Sequence, residues 1–67
     1  MNGNKLKGIV VSHGDSMNTL AEYLGITPQS LRNKVKGVTS SFKQGEISKI
    51  VARYGLTPEE IIDIFFN

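Results

Sequence analysis

Residues 17–37, Met17-Asn18-Thr19-Leu20-Ala21-Glu22-Tyr23-Leu24-Gly25-Ile26-Thr27-Pro28-Gln29-Ser30-Leu31-Arg32-Asn33-Lys34-Val35-Lys36-Gly37, decide the fold. Leu20, Ala21 and Leu24 recur at the three-and-four spacing of one helical face, and Asp15-Ser16 offers an N-cap before them. Gly25 supplies the left-handed residue that ends a helix without a Cβ penalty. Thr27 then caps a second helix whose first position is Pro28, where the missing N–H has no intrahelical partner. The stretch therefore predicts helices over Met17–Leu24 and Pro28–Lys36, joined by about three residues. So short a link forbids an antiparallel pair and predicts the steep crossing of a helix-turn-helix.

Wound at about 100° per residue, the second of these helices sorts into two sides. Leu31 and Val35 share one side with Pro28, while Gln29, Arg32, Asn33 and Lys36 fall within an arc of about 100° on the other, flanked by Ser30 and Lys34. Amide, guanidinium and ammonium groups on one arc are those that read base edges, Arg pairing with guanine and Asn or Gln with adenine.

Charge is uneven along the chain. A net +2 argues little alone, but residues 27–49 set Arg32, Lys34, Lys36, Lys43 and Lys49 against Glu46, a net +4. Residues 54–67 carry Glu59, Glu60 and Asp63 and no cation, a net −3. A basic middle beside an acidic end predicts a face for a polyanion, against the plainer reading of a solvated surface.

Outward from this centre, Leu6, Ile9, Val10 and His13 predict a helix over about 4–13 stopped by Gly14, although Ile9-Val10-Val11 is β-branched enough for a short strand. His13 is expected to be a packed or capping residue rather than a catalytic one. After the polar link Val38-Thr39-Ser40-Ser41, Phe42 is the expected anchor, and Ile47, Ile50, Val51 and Tyr54 predict a helix over about 43–53. Thr57-Pro58-Glu59-Glu60 is a capping box opening a fifth helix with core residues Ile61, Ile64 and Phe65. Ile62 and Phe66 share an adjacent face, either a wider core face, a fraying terminus or a dimer contact.

The chain uses one device twice, Gly25-Ile26-Thr27-Pro28 and Gly55-Leu56-Thr57-Pro58. Gln29, Arg32, Asn33 and Lys36 follow the first, whereas Glu59, Glu60 and Asp63 follow the second. Phosphates would repel the later helix, so only the earlier one is a candidate for a groove.

Sixty-seven residues predict one domain over 1–67, burying about 60% of its unfolded surface and helped by a partner chain. With no cysteine there are neither disulfides nor thiolate metal sites, and His13 has no carboxylates clustered beside it for a metal. Apolar runs such as Ile9-Val10-Val11 fall far short of the roughly 20 residues of a membrane span, and no signal peptide is visible. No nucleophile–base pair, carboxylate dyad or phosphate loop can be assembled, so no enzyme is expected. RNA binding is disfavoured because no aromatic interleaves the cations of residues 28–36.

At these residues the chain resembles the phage repressor/Cro (Xre-type) group of helix-turn-helix domains. Ala21, Gly25 and Leu31 match that motif's small residue, turn glycine and buried branched residue, with Leu20, Leu24 and Ile26 in its apolar positions and Gly37 ending its second helix. The tail, Leu56-Thr57-Pro58-Glu59-Glu60-Ile61 through Ile64-Phe65-Phe66, is similar to small prophage-encoded members from Gram-positive bacteria. The resemblance implies an all-α, compact five-helix, lambda-repressor-like bundle. Its residues 28–36 would enter the major groove of a pseudo-palindromic operator, bound by a homodimer. Base contacts would come from Gln29, Arg32 and Asn33, with Thr27 and Lys36 beside them. Backbone contacts would come from Ser16, Asn18, Ser40, Ser41 and Lys43. The chain departs from the family at Met17, where glutamine is frequent, at Pro28, where a polar residue is frequent, and at Lys34, where an apolar one is usual. Lys34 would either loosen the seam or add a phosphate contact.

The expectation is thus a cytoplasmic, nucleoid-associated transcriptional regulator that acts by occupying its operator, with no cofactor and no small-molecule ligand. The competing expectation is a protein-interaction module, antirepressor or antitoxin-like, working through Ile62 and Phe66.

Overall fold

Each helix starts where a side chain can accept an orphan backbone N–H. In the computed structural model, which describes residues 1–37 and 41–66, the helices are α1 (Gly3–Ser12), α2 (Met17–Leu24), α3 (Pro28–Lys36), α4 (Gln44–Tyr54) and α5 (Pro58–Phe65). The described residues contain no strand. Asn2 accepts from the N–H of Lys5 at 3.2 Å, Ser16 from Thr19 at 3.1 Å and Thr27 from Ser30 at 3.1 Å. At α5 the capping box is reciprocal, with Thr57 accepting from Glu60 at 3.2 Å and the Glu60 carboxylate from Thr57 at 2.9 Å. Such caps contribute about 1 kcal/mol each.

Two helices are displaced from expectation by one residue at each end, α1 ending at Ser12 and α4 at Tyr54. α1 begins at Gly3 because Asn2 is its cap, and α4 begins at Gln44 because Lys43 is the cap residue. Gly45 thereby falls in the first turn of α4. Ile9-Val10-Val11 is helical, since Leu6 and Val10 must both reach the core from one face.

Between α2 and α3, Gly25 takes φ 75°, the left-handed region open to glycine. Its N–H donates to Glu22 at 3.1 Å and that of Ile26 to Ala21 at 3.0 Å, closing α2 in a Schellman turn. Thr27 opens α3 at once. The core beneath these helices is Leu6 and Val10 of α1, Leu20, Ala21 and Leu24 of α2, Leu31 of α3, Ile50 and Tyr54 of α4, Leu56, and Ile64 of α5. Leu6, Val10, Leu20, Leu31, Ile50 and Ile64 are fully buried, each contributing about 1.5–3 kcal/mol by leaving water. Ile61 and Phe65 are half-buried against this core, and Phe42 meets Phe65 edge to face at 5.6 Å.

Three polar ties join distant segments. The N–H of Asn2 donates to the Ile64 carbonyl at 2.8 Å, and Lys5 pairs with Asp63 at 3.2 Å, fastening α1 to α5. Asp15 receives Arg53 through Nε at 2.9 Å and Nη2 at 3.1 Å, together with the Tyr54 hydroxyl at 2.8 Å. This fastens the α1–α2 turn to the end of α4. Arg53 and then Tyr54 hold the Asp15 carboxyl below the usual range, while burial and the bond to Asp15 push the Tyr54 phenol up to about 12. Arg53 also lies over the ring of Tyr23 at 4.6 Å. His13 is exposed: its Nδ1 is 3.0 Å from the Ile9 carbonyl oxygen and its ring meets Tyr54 edge to face.

Candidate nucleic-acid interface

Leu31 is fully buried on α3 and Val35 is half-buried, so the opposite side of the helix is directed to solvent. Gln29, Arg32 and Lys36 are exposed there, and Asn33 is half-buried. These side chains form a row. Arg32 Nη2 donates to Gln29 Oε1 at 3.3 Å, and Gln29 Nε2 donates to Asn33 Oδ1 at 3.1 Å. Held this way, the row keeps donors uncommitted: Arg32 retains four of its five N–H groups, and the Asn33 amide nitrogen donates to no other described side chain. That array suits guanine O6 and N7 most directly, whereas a bidentate adenine contact from Asn33 also needs a lone pair of its oxygen.

Other expected contacts have varied positions. Asn18 and Lys43 are exposed. Ser41 is exposed, and its carbonyl accepts from Lys34 at 3.2 Å. Ser40 lies outside the described residues. Ser16 is engaged at the α2 cap, its hydroxyl 3.0 Å from that of Thr19. Thr27 accepts from the N–H of Ser30 and donates to the Ser30 hydroxyl at 3.1 Å, so it holds the turn rather than pointing a free hydroxyl outward.

Lys34 departs from the expected phosphate contact. It lies only about 60° round the helix from Leu31. It is buried, at 8% exposure, and its ammonium pairs with Glu46 of α4 at 3.2 Å. Burial raises the Glu46 carboxyl, but the Lys43 N–H and the Lys34 ammonium outweigh it, leaving the carboxyl below its ordinary value. Lys34 therefore joins α3 to α4 behind the exposed row, and the seam is bridged rather than loosened.

A groove of about 780 Å³ flanks α3, lined by Met1, Asn2, Gly3, Asn4 and Lys7 with Met17, Arg32, Val35 and Lys36. None of the sequence readings included α1 in this surface. On another side Phe66 is 71% and Ile62 57% exposed, and Phe66 borders an apolar groove with Phe42, Ile47, Val51, Ala52 and Ile61. Of the α4 stripe, Ile50 and Tyr54 are buried in the core, while Ile47 and Val51 are half-buried and line this second groove with Ile61 of α5 and with Phe66.

No family model matches the chain, and neither a curated protein nor a solved structure matches it. No described helix is long and apolar enough to cross a membrane.

Proposed function

We propose that the chain is a sequence-specific DNA-binding domain of the helix-turn-helix kind, a phage repressor/Cro-like transcriptional regulator of the bacterial cytoplasm and nucleoid. In this reading α3 enters the major groove. The observation that carries it is the hydrogen-bonded Arg32–Gln29–Asn33 row, exposed at Arg32 and Gln29, with the exposed Lys36 beside it. The acidic α5, begun by the same Thr-Pro device, is the internal contrast. Arg32, Gln29 and Asn33 would discriminate bases, while Lys36, Lys43, Asn18 and the ends of the flanking elements contact phosphates and set the register. Such a domain buries about 600–1,000 Å² on DNA, which favours two copies on a pseudo-palindromic operator. The exposed Ile62 and Phe66 supply an apolar surface on which they could pair.

The same apolar surface favours a second reading, a protein-interaction module in which α3 has no DNA role. Arg32→Ala separates the two. On the DNA reading it costs about 1–3 kcal/mol on the preferred duplex and relaxes preference at one base pair. Equal loss on every sequence counts against base reading, and no loss at all favours the interaction module.

A further inference from the structure

Of the eight cations in the chain, Lys5, Lys34 and Arg53 are held by Asp63, Glu46 and Asp15. Among the described residues the other five form no ion pair, and three of them, Lys7, Arg32 and Lys36, line the groove between the start of α1 and α3. No carboxylate side chain among the described residues lines it. The two helices meet there without room to spare: a Cβ on Gly3 would stand 2.6 Å from Val35 Cγ1. Lys7 follows Gly3 by four residues, one turn along nearly the same face, so the close approach of Gly3 to α3 carries Lys7 alongside Arg32 and Lys36.

We propose that this groove seats the DNA backbone, with Lys7 of α1 contacting a phosphate beside the bases that α3 reads. The proposal rests on the DNA-binding reading and extends its contact surface to an element outside the two crossing helices. All three cations are exposed, which suits an extended polyanion rather than an enclosed small anion. Converging positive charge along a groove also steers DNA into register before base contacts form. A phosphate contact carries no sequence information, so its loss has a different signature from that of Arg32.

The test is binding of the full chain to a fluorescent mixed-sequence duplex of about 30 base pairs, followed by anisotropy between about 50 and 200 mM salt. Lys7→Ala should lower the slope of log affinity against log salt by about 0.9, which is about an eightfold loss at 0.1 M. The loss should be the same on an unrelated duplex, and Lys7→Arg should restore both affinity and slope. Lys49→Ala removes an exposed α4 cation outside the groove and should leave the slope unchanged. An unchanged slope for Lys7→Ala, or an equal fall for Lys49→Ala, overturns the groove while leaving the functional reading intact. No salt-sensitive binding by the unaltered chain overturns both.

Discussion

Replacing Glu46 by alanine leaves the Lys34 ammonium buried without its counter-charge. The Lys34 side chain is 9% exposed and that of Glu46 13%, so water screens the pair little. Breaking a buried pair from one side costs about 3–5 kcal/mol, because the remaining charge keeps its desolvation penalty. Glu46 also accepts the Lys43 N–H at 2.8 Å at the start of α4, and losing that cap costs about 1 kcal/mol. Lys34 retains the Ser41 carbonyl, which offsets part of the loss. A net cost of about 3–4 kcal/mol is a large share of the roughly 3–10 kcal/mol expected for a domain of this size. At about 4–8 °C per kcal/mol, the melting temperature should fall by about 15–30 °C. Lys34→Met should also destabilise, though by less, because the Glu46 carboxylate it leaves without a counter-charge keeps the Lys43 N–H. Combined with Lys34→Met, Glu46→Ala should cost only about its capping share. Urea melts followed by circular dichroism read all three variants. A cost below about 1 kcal/mol for Glu46→Ala, or a double variant as unstable as the two single costs added together, would refute the reasoning.

Gly3→Ala should destabilise by about 1–3 kcal/mol, because its Cβ meets Val35 Cγ1, whereas Gly8→Ala, with nothing within 4 Å, should stabilise by about 0.5–1 kcal/mol; equal effects in thermal melts would deny the close approach. Phe66→Ser should raise the dissociation constant for self-association by about tenfold, and unchanged sedimentation would remove Phe66 from the interface. Asp15 and Glu46 both have carboxyls lowered in the folded chain, so the stability they contribute is present above the ordinary carboxylate range and lost as pH falls through the folded values. Denaturant midpoints should therefore drop below about pH 4.5, and a midpoint constant down to about pH 3 would contradict both assignments.

The helices were legible because their ends are written locally. Thr27-Pro28, Thr57-Pro58 and Gly25 act within four residues of themselves, and the boundaries of α2, α3 and α5 agree with their spacing. The two sides of α3 were legible for the same reason, since periodicity alone separates Leu31 from Arg32. Ties between distant segments left no such trace. Asp15 reads as a helix cap until α4 brings Arg53 and Tyr54 to it, 38 and 39 residues later. Lys34 gave a partial signal, standing three residues after Leu31 on the edge of the buried side, but its partner Glu46 is visible only once α4 is placed. Gly3 lies just outside the helix that the sequence predicts, and only the packing of α1 on α3 shows why no side chain fits there.

Selection of bound duplexes from a random pool tests the central claim most directly. Two copies reading bases through Gln29, Arg32 and Asn33 should enrich a pseudo-palindrome whose half-sites lie about 34–36 Å apart, with guanine prominent opposite Arg32. Recovery of sequences with no shared motif, or of no DNA at all, would contradict it.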